Sequence, residues 1–128
     1  MVFVDTSVFV YAVGRQHPLR DEARSMLRER LAGALPLATS AEVLQELMHI
    51  YLPVGRLAAL NAAVRLATAL TTAWPIDASD VLAARDLAAA APGLGARDLL
   101  HLAVCRRYGA KGLLSFDRGL SAAFASGR

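Results

Sequence analysis

Cysteine is almost absent from this 128-residue chain: Cys105 stands alone. With no internal disulfide available, the fold must rest on its core, and the reducing cytoplasm is the expected compartment. Long apolar runs are missing too. Arg56, Asn61 and Arg65 interrupt the most hydrophobic stretch, which leaves it short of the roughly 18 uninterrupted apolar residues that a membrane span needs. No basic segment precedes the first apolar run and Asp5 cuts that run short, so no secretory signal is expected. Lysine is nearly absent, Lys111 being the only one, and Gly93-Leu94-Gly95 has neither a third glycine nor a following Lys-Ser/Thr. A phosphate-loop nucleotide site is therefore disfavoured. Repeats, low-complexity tracts and linkers are lacking as well, and the length suits one domain over residues 1–128.

The residues present are 55% hydrophobic and 20% charged, with alanine carrying much of the apolar excess. Such a composition favours closely packed helices and leaves room for an oligomer interface. Lys and Arg number 14 against 11 acids, a net charge of +3, and the pI is about 9.6. If four acids gather in one site, seven remain to face those 14 cations. An acidic pit on a basic body suits a polyanion held by its backbone, although solvated arginine-rich helix faces give the same totals.

Val2 to Asp5 reads as a buried strand, because an unbroken apolar run ended by a polar residue suits a parallel strand covered on both faces. Ser7 to Val13, closed by Gly14, predicts a short helix, which Thr6 and Ser7 can cap. Pro18 opens a second helix with Leu19, Ala23, Met26, Leu27 and Leu31 on one face and Gly33 as its stop. Leu35 to Thr39 is a brief strand, and Ser40 caps a helix that runs to Tyr51, before Pro53. A long helix from Arg56 to Thr72 leads to the extended Trp74-Pro75-Ile76, a third strand. Asp77 or Ser79 starts a helix with Val81, Leu82 and Leu87 inward, reaching the alanine-rich stretch before Pro92. Beyond the loop from Pro92 to Gly95 come a helix from Ala96 to Gly109, a strand over Lys111 to Phe116 and a terminal helix from Asp117 to Ala125. This alternation predicts an α/β fold, a three-layer α/β/α sandwich around a central, mostly parallel sheet.

Two of these strands finish on a carboxylate, Asp5 and Asp117. In parallel sheets ligands gather at the carboxyl ends of strands, and hard divalent cations prefer carboxylate oxygens. Asp5 would be mostly buried, where an ionised acid is costly without a compensating cation. Glu42 and Glu46 lie four residues apart on one helix face and repel unless a cation intervenes. Glu46 sits in the apolar frame Val43-Leu44-Gln45-Glu46-Leu47-Met48, whereas Glu42 comes two residues after Ser40 in the first turn, where the helix dipole alone favours an acid. Asp98 opens a nearly all-apolar helix, with His101 three residues on. Each acid has an ordinary alternative as a helix cap; together, with Ser7 and Ser115 beside them to donate hydrogen bonds, they form a pattern that capping explains less well.

The blocks Val-Phe-Val-Asp-Thr-Ser at 2 to 7, Ser-Ala-Glu-Val-Leu-Gln-Glu-Leu at 40 to 47, Ala-Arg-Asp-Leu-Leu-His-Leu-Ala at 96 to 103 and Leu-Leu-Ser-Phe-Asp-Arg-Gly-Leu at 113 to 120 together resemble the PIN-domain family. Within it, the small VapC-like toxins of toxin–antitoxin pairs are the nearest type. The resemblance covers essentially the whole chain in order. It implies that Asp5, Glu46, Asp98 and Asp117 hold Mg2+, with Mn2+ as an alternative ion, and so carry catalysis. Ser115 would supply the family's hydroxyl, Ser7 would support it, and Glu42 would stand at the rim. The implied activity is RNA hydrolysis: the metal lowers the pKa of a water, which attacks a phosphodiester and leaves a 5′-phosphate. A cognate antitoxin covering the acidic pit and a homodimer are implied too. Any final edge strand would be very short or missing after Asp117.

His101 could touch substrate or orient Asp98, or be a buried structural histidine; His17 and His49 read as structural or surface residues. Arg15, Arg20, Arg24 and Arg97 are candidate phosphate contacts, with solvated surface as the default. A haloacid-dehalogenase phosphatase would want a second Asp where Ser7 stands. A receiver domain would want an acidic pair before its first helix and a late strand-end Lys. The remaining alternative is a catalytically idle PIN-like RNA-binding or protein-interaction module whose acids are caps.

Overall fold

A computed structural model describes residues 1–127. The described chain runs β1 (Val2–Val4), α1 (Thr6–Val13), α2 (Pro18–Leu31), β2 (Leu37–Ser40), α3 (Ala41–Tyr51), a 3-10 turn (Leu52–Val54), α4 (Leu57–Leu70), β3 (Thr72–Trp74), α5 (Ala78–Leu87), α6 (Ala96–Tyr108), β4 (Gly112–Leu114) and α7 (Arg118–Ser126). The strands form one sheet in the order β3-β2-β1-β4. All three pairings are parallel, with Val2 opposite both Leu37 and Gly112, and Ser40 opposite Trp74. The expected three-layer α/β/α architecture is realised. No strand follows β4 among the described residues, and none of their helices is long and apolar enough to cross a membrane.

The order of the strands positions the site. From β1 the chain steps outward to β2 and β3, then returns to lay β4 on the other side of β1. Right-handed crossovers put helices from the two directions on opposite faces. Packing agrees: α1 meets α2, α3 and α4, α6 meets α5 and α7, and the two groups touch where α3 meets α6, at the Glu46–His101 bond. The reversal falls between β1 and β4, and a crevice opens outside strand ends at such a switch point. Asp5 and Ser115 come directly after those two strands.

Beneath this edge the sheet is dry. Val2, Phe3, Val4, Val8, Phe9, Val43, Leu47 and Val104 are fully buried, and a ladder of rings crosses the core. Phe3 stacks on Trp74 at 5.9 Å and Trp74 on Tyr108 at 4.6 Å. Rings offset in this way add to what burial alone contributes.

Several expectations need correction, the second strand among them, which is Leu37–Ser40 and not Leu35 to Thr39. The third strand is Thr72–Trp74, not Trp74 to Ile76. Thr72, Ala73 and Trp74 pair with Ala38, Thr39 and Ser40, whereas Pro75 has no amide to donate. Helix α4 accordingly ends at Leu70 rather than Thr72, since β-branched Thr71 and Thr72 are already extended or in the strand. On α5 the inner face is not the expected one: Val81 and Leu82 are each 52% exposed, and Asp80 and Ala84 are buried instead. The rotation is set by a capping box between Asp77 and Asp80 and by the Arg107 guanidinium, which donates to Asp80 at 2.8 Å.

Candidate active site

Asp5 occupies the N-cap position of α1, yet its side chain makes no capping hydrogen bond. Its Oδ2 instead accepts from the Ser115 hydroxyl at 2.7 Å and from Ser7 at 3.3 Å. The backbone fixes this geometry, because the Asp5 amide donates to the Leu114 carbonyl at 2.9 Å and so extends the β1–β4 ladder. Both serines have second roles: Ser7 Oγ accepts from the Phe116 amide at 3.1 Å, and Ser115 Oγ accepts from the Asp117 amide at 2.9 Å. These bonds tie the ends of β1 and β4 into one rim.

Asp117, in contrast, is a cap, its Oδ1 accepting from the Leu120 amide at 2.9 Å. Glu46 reaches the same place from α3. Its Oε1 lies 2.7 Å from His101 Nε2, and that nitrogen is 3.6 Å from Asp5 Oδ1. Because both neighbours are acceptors when ionised, Nε2 carries the proton. His101 is 1% exposed and is held against Phe3, 5.7 Å between rings, while its Nδ1 has no hydrogen-bond partner. His101 thus orients Glu46, and not Asp98 as one expectation had it.

The electrostatics couple all four acids. Burial, then the charges of Asp117 and Asp5, push Asp98 up from 3.8 to about 6, with Glu46 adding to the rise and His101 opposing it. For Glu46 burial acts upward, but the hydrogen bond and charge of His101, the Thr6 hydroxyl and Arg97 outweigh it, and its pKa is lowered. Burial depresses His101, yet Glu46, Asp5 and Asp98 together raise its pKa. Glu42 is not among the charges acting on Asp98 and stays half-buried in the first turn of α3. Among the described residues no group of three or more His, Cys, Asp or Glu side chains is gathered tightly enough to hold a metal ion. Glu46 is turned to His101 and Asp117 to its helix amide, as expected of repelling carboxylates that take nearby donors.

One contributor was not singled out in the sequence. Thr6 has a buried hydroxyl with no hydrogen-bond partner, near enough to Glu46 to favour its ionised form; its place beside Asp5 in Asp-Thr-Ser was the available signal. His17 is the N-cap of α2, its Nδ1 accepting from the Leu19 amide at 3.0 Å. Of the four candidate arginines, Arg24 donates to the Ala12 carbonyl at 2.9 Å and Arg20 to that of Gly14. Arg15 and Arg97 are exposed.

The sequence matches the PIN domain family over residues 2–124. It is 54% identical over 126 residues to the ribonuclease VapC23 of Mycobacterium tuberculosis, covering 98% of this chain and 100% of that one. To the ribonuclease VapC13 of the same organism it is 38% identical, covering 93% and 92% of the two chains. The crystal structure of Mycobacterium tuberculosis VapC20, a sarcin-ricin loop cleaving toxin, superposes with a TM-score of 0.76 at 24% identity, covering 96% of this chain and 95% of that one. With a match that runs from the first strand into the last helix, and relatives this similar over nearly their whole lengths, the chain belongs to the PIN domain family.

Proposed function

We propose that this protein is an endoribonuclease, dependent on Mg2+ or Mn2+, that hydrolyses RNA phosphodiester bonds in the cytoplasm as the toxin of a toxin–antitoxin pair. The observation that carries the reading is a set of four carboxylates acting on one another at the β1–β4 switch, where burial first, and then the charges of Asp117 and Asp5, push Asp98 up to about 6. A fold gains nothing from such crowding, whereas a hard cation that takes carboxylate oxygens offsets it. The donor chemistry suits a hard cation: Asp5, Glu46, Asp98 and Asp117 would hold the ion once Glu46 and Asp117 turn from His101 and the α7 amide. When bound, it would polarise a phosphate oxygen and make a water acidic enough to attack at neutral pH.

The chain's own groups prepare the site. Ser115 and Ser7 fix the Asp5 carboxylate, and His101 fixes Glu46. Exposed Arg97, beside Glu46, offers positive charge to the RNA backbone. The names of VapC23 and VapC13 support RNA as the substrate. An antitoxin and a second copy of this chain are the partners, and exposed Met48, Val81 and Leu82 offer apolar surface for them.

Labelled RNA should be cut with Mg2+, and cutting should cease in chelator and in Asp98→Asn. Mn2+ should also raise the melting temperature of the wild type but not of Asp5→Asn. Metal-independent cleavage, or equal cleavage by Asp98→Asn, would refute the reading.

A further inference from the structure

A cavity of about 410 Å³ opens between the C-terminal end of α1 and that of α3, lined by Tyr11, Arg15, His17, Ile50, Val54 and Arg56 among others. Tyr11 stands four residues after Ser7 on α1, hence on the same helix face and about 6 Å further along. It is joined to the site rim through Phe116, whose ring meets Tyr11 edge-on at 5.2 Å and whose amide is held by Ser7. On Tyr11 lies His17, 5.8 Å away and inclined by 28°.

His17 is exposed but not loose. Its Nδ1 is bound by the Leu19 amide and one ring face is occupied by Tyr11. With Nδ1 and one ring face taken, the exposed surface of the ring lies at its other face and its Nε2 edge. A ring held in this way loses little entropy when a flat partner stacks on it. Arg15 and Arg56, both exposed, add positive charge on the same cavity, which suits a base with a phosphate attached.

We propose that the His17–Tyr11 pair is a stacking platform for a nucleobase of single-stranded RNA, one or two nucleotides from the phosphodiester placed at the four acids. It rests on the ribonuclease reading and extends it from the cut bond to the flanking base. Base–aromatic stacking tolerates any base, so the platform gives position along the strand rather than a sequence code.

The test is binding of labelled single-stranded oligoribonucleotides in chelator, using intact oligomers and oligomers with one abasic nucleotide at each position in turn. His17→Asn removes the ring and keeps a good capping acceptor; His17→Phe keeps the ring and loses the cap. One abasic position should weaken wild-type binding by about five- to a hundredfold. His17→Asn should bind the intact oligomer more weakly by a similar factor and become insensitive to that position. His17→Phe should bind like the wild type while melting lower. Equal binding by His17→Asn and wild type, or weakening that is the same at every abasic position, would overturn the platform. If the wild type cleaves RNA and either of these is seen, only the platform fails. A wild type that neither binds nor cleaves RNA overturns both.

Discussion

Replacing Asp98 by Asn should stabilise the metal-free protein at neutral pH while abolishing its activity. Asp98 is raised from 3.8 to about 6 by burial and by Asp117, Asp5 and Glu46. A shift of about two units corresponds to about 3 kcal/mol. Asp98 is only half-buried, so solvent screening reduces this to about 1.5 kcal/mol. Loss of the favourable charge in the first turn of α6 returns about 0.5 kcal/mol. The net gain of about 1 kcal/mol corresponds to about 4 °C in melting temperature for a chain of this size.

The sign comes from linkage. Because the folded pKa lies above the unfolded one, the carboxylate costs nothing below pH ~4, costs progressively more up to pH ~6, and its full amount above that. Melting curves in chelator should therefore show Asp98→Asn ahead at pH ~7.5 and level with the wild type at pH ~4. Saturating Mn2+ should reverse the order at pH ~7.5, since an ion at a hundred times its dissociation constant adds about 2.7 kcal/mol to the form that binds it. An Asn variant that melts below the wild type in chelator at pH ~7.5 would refute the crowding argument, as would a gain that persists at pH ~4.

Ser115→Ala removes a 2.7 Å donor from a nearly buried carboxylate and an acceptor from the Asp117 amide, and should cost about 1–3 kcal/mol in urea denaturation. His101→Gln should lose stability most between pH 4.5 and 6.5 in chelator. Glu46 is lowered and His101 raised from those ordinary values, so their attraction is complete in that window, lost as Glu46 protonates below it and as His101 deprotonates above it; a variant deficit that grows above the window would contradict this. Arg107→Ala strands the Asp80 carboxylate, which is 3% exposed against 42% for Arg107, and should destabilise by about 1–3 kcal/mol without altering RNA cleavage.

β1 was legible because all three of its residues are buried, and the unbroken apolar run Val2-Phe3-Val4 suits a strand covered on both faces. Where an element lies at the border of the core, the signal was weaker. The third strand was misplaced by two residues because Trp74-Pro75-Ile76 is apolar, while the paired Thr72 and Ala73 are exposed. Rotation of α5 was not legible, because it is decided by a cross-helix ion pair between Asp80 and Arg107, 27 residues apart. The same limit applies to the site. Asp5 and Asp117 announce themselves by ending apolar runs, but the hydrogen bond from His101 to Glu46 spans 55 residues and that from Ser115 to Asp5 spans 110. Periodicity within one element cannot predict contacts of that kind.

The behaviour of Asp5 sets it apart from the capping side chains of the same fold. His17, Ser40, Asp77 and Asp117 all stand at N-cap positions, and each side chain accepts from an amide of its own helix. Asp5 stands at the same position with extended backbone, φ −76° and ψ 158°, which suits a cap, and it still does not cap. A side-chain cap is worth about 1 kcal/mol, so α1 leaves that stabilisation unused. The carboxylate turns instead toward the crevice, 5% exposed, where two serine hydroxyls hold it and its charge bears on Asp98. Asp117 shows the intermediate case: one oxygen caps α7 while its charge still bears on Asp98. The rim therefore combines acids fixed by donors with one, Asp98, whose carboxylate is pushed up chiefly by burial and the charges of the others, and a cation entering the crevice would relieve Asp98 first.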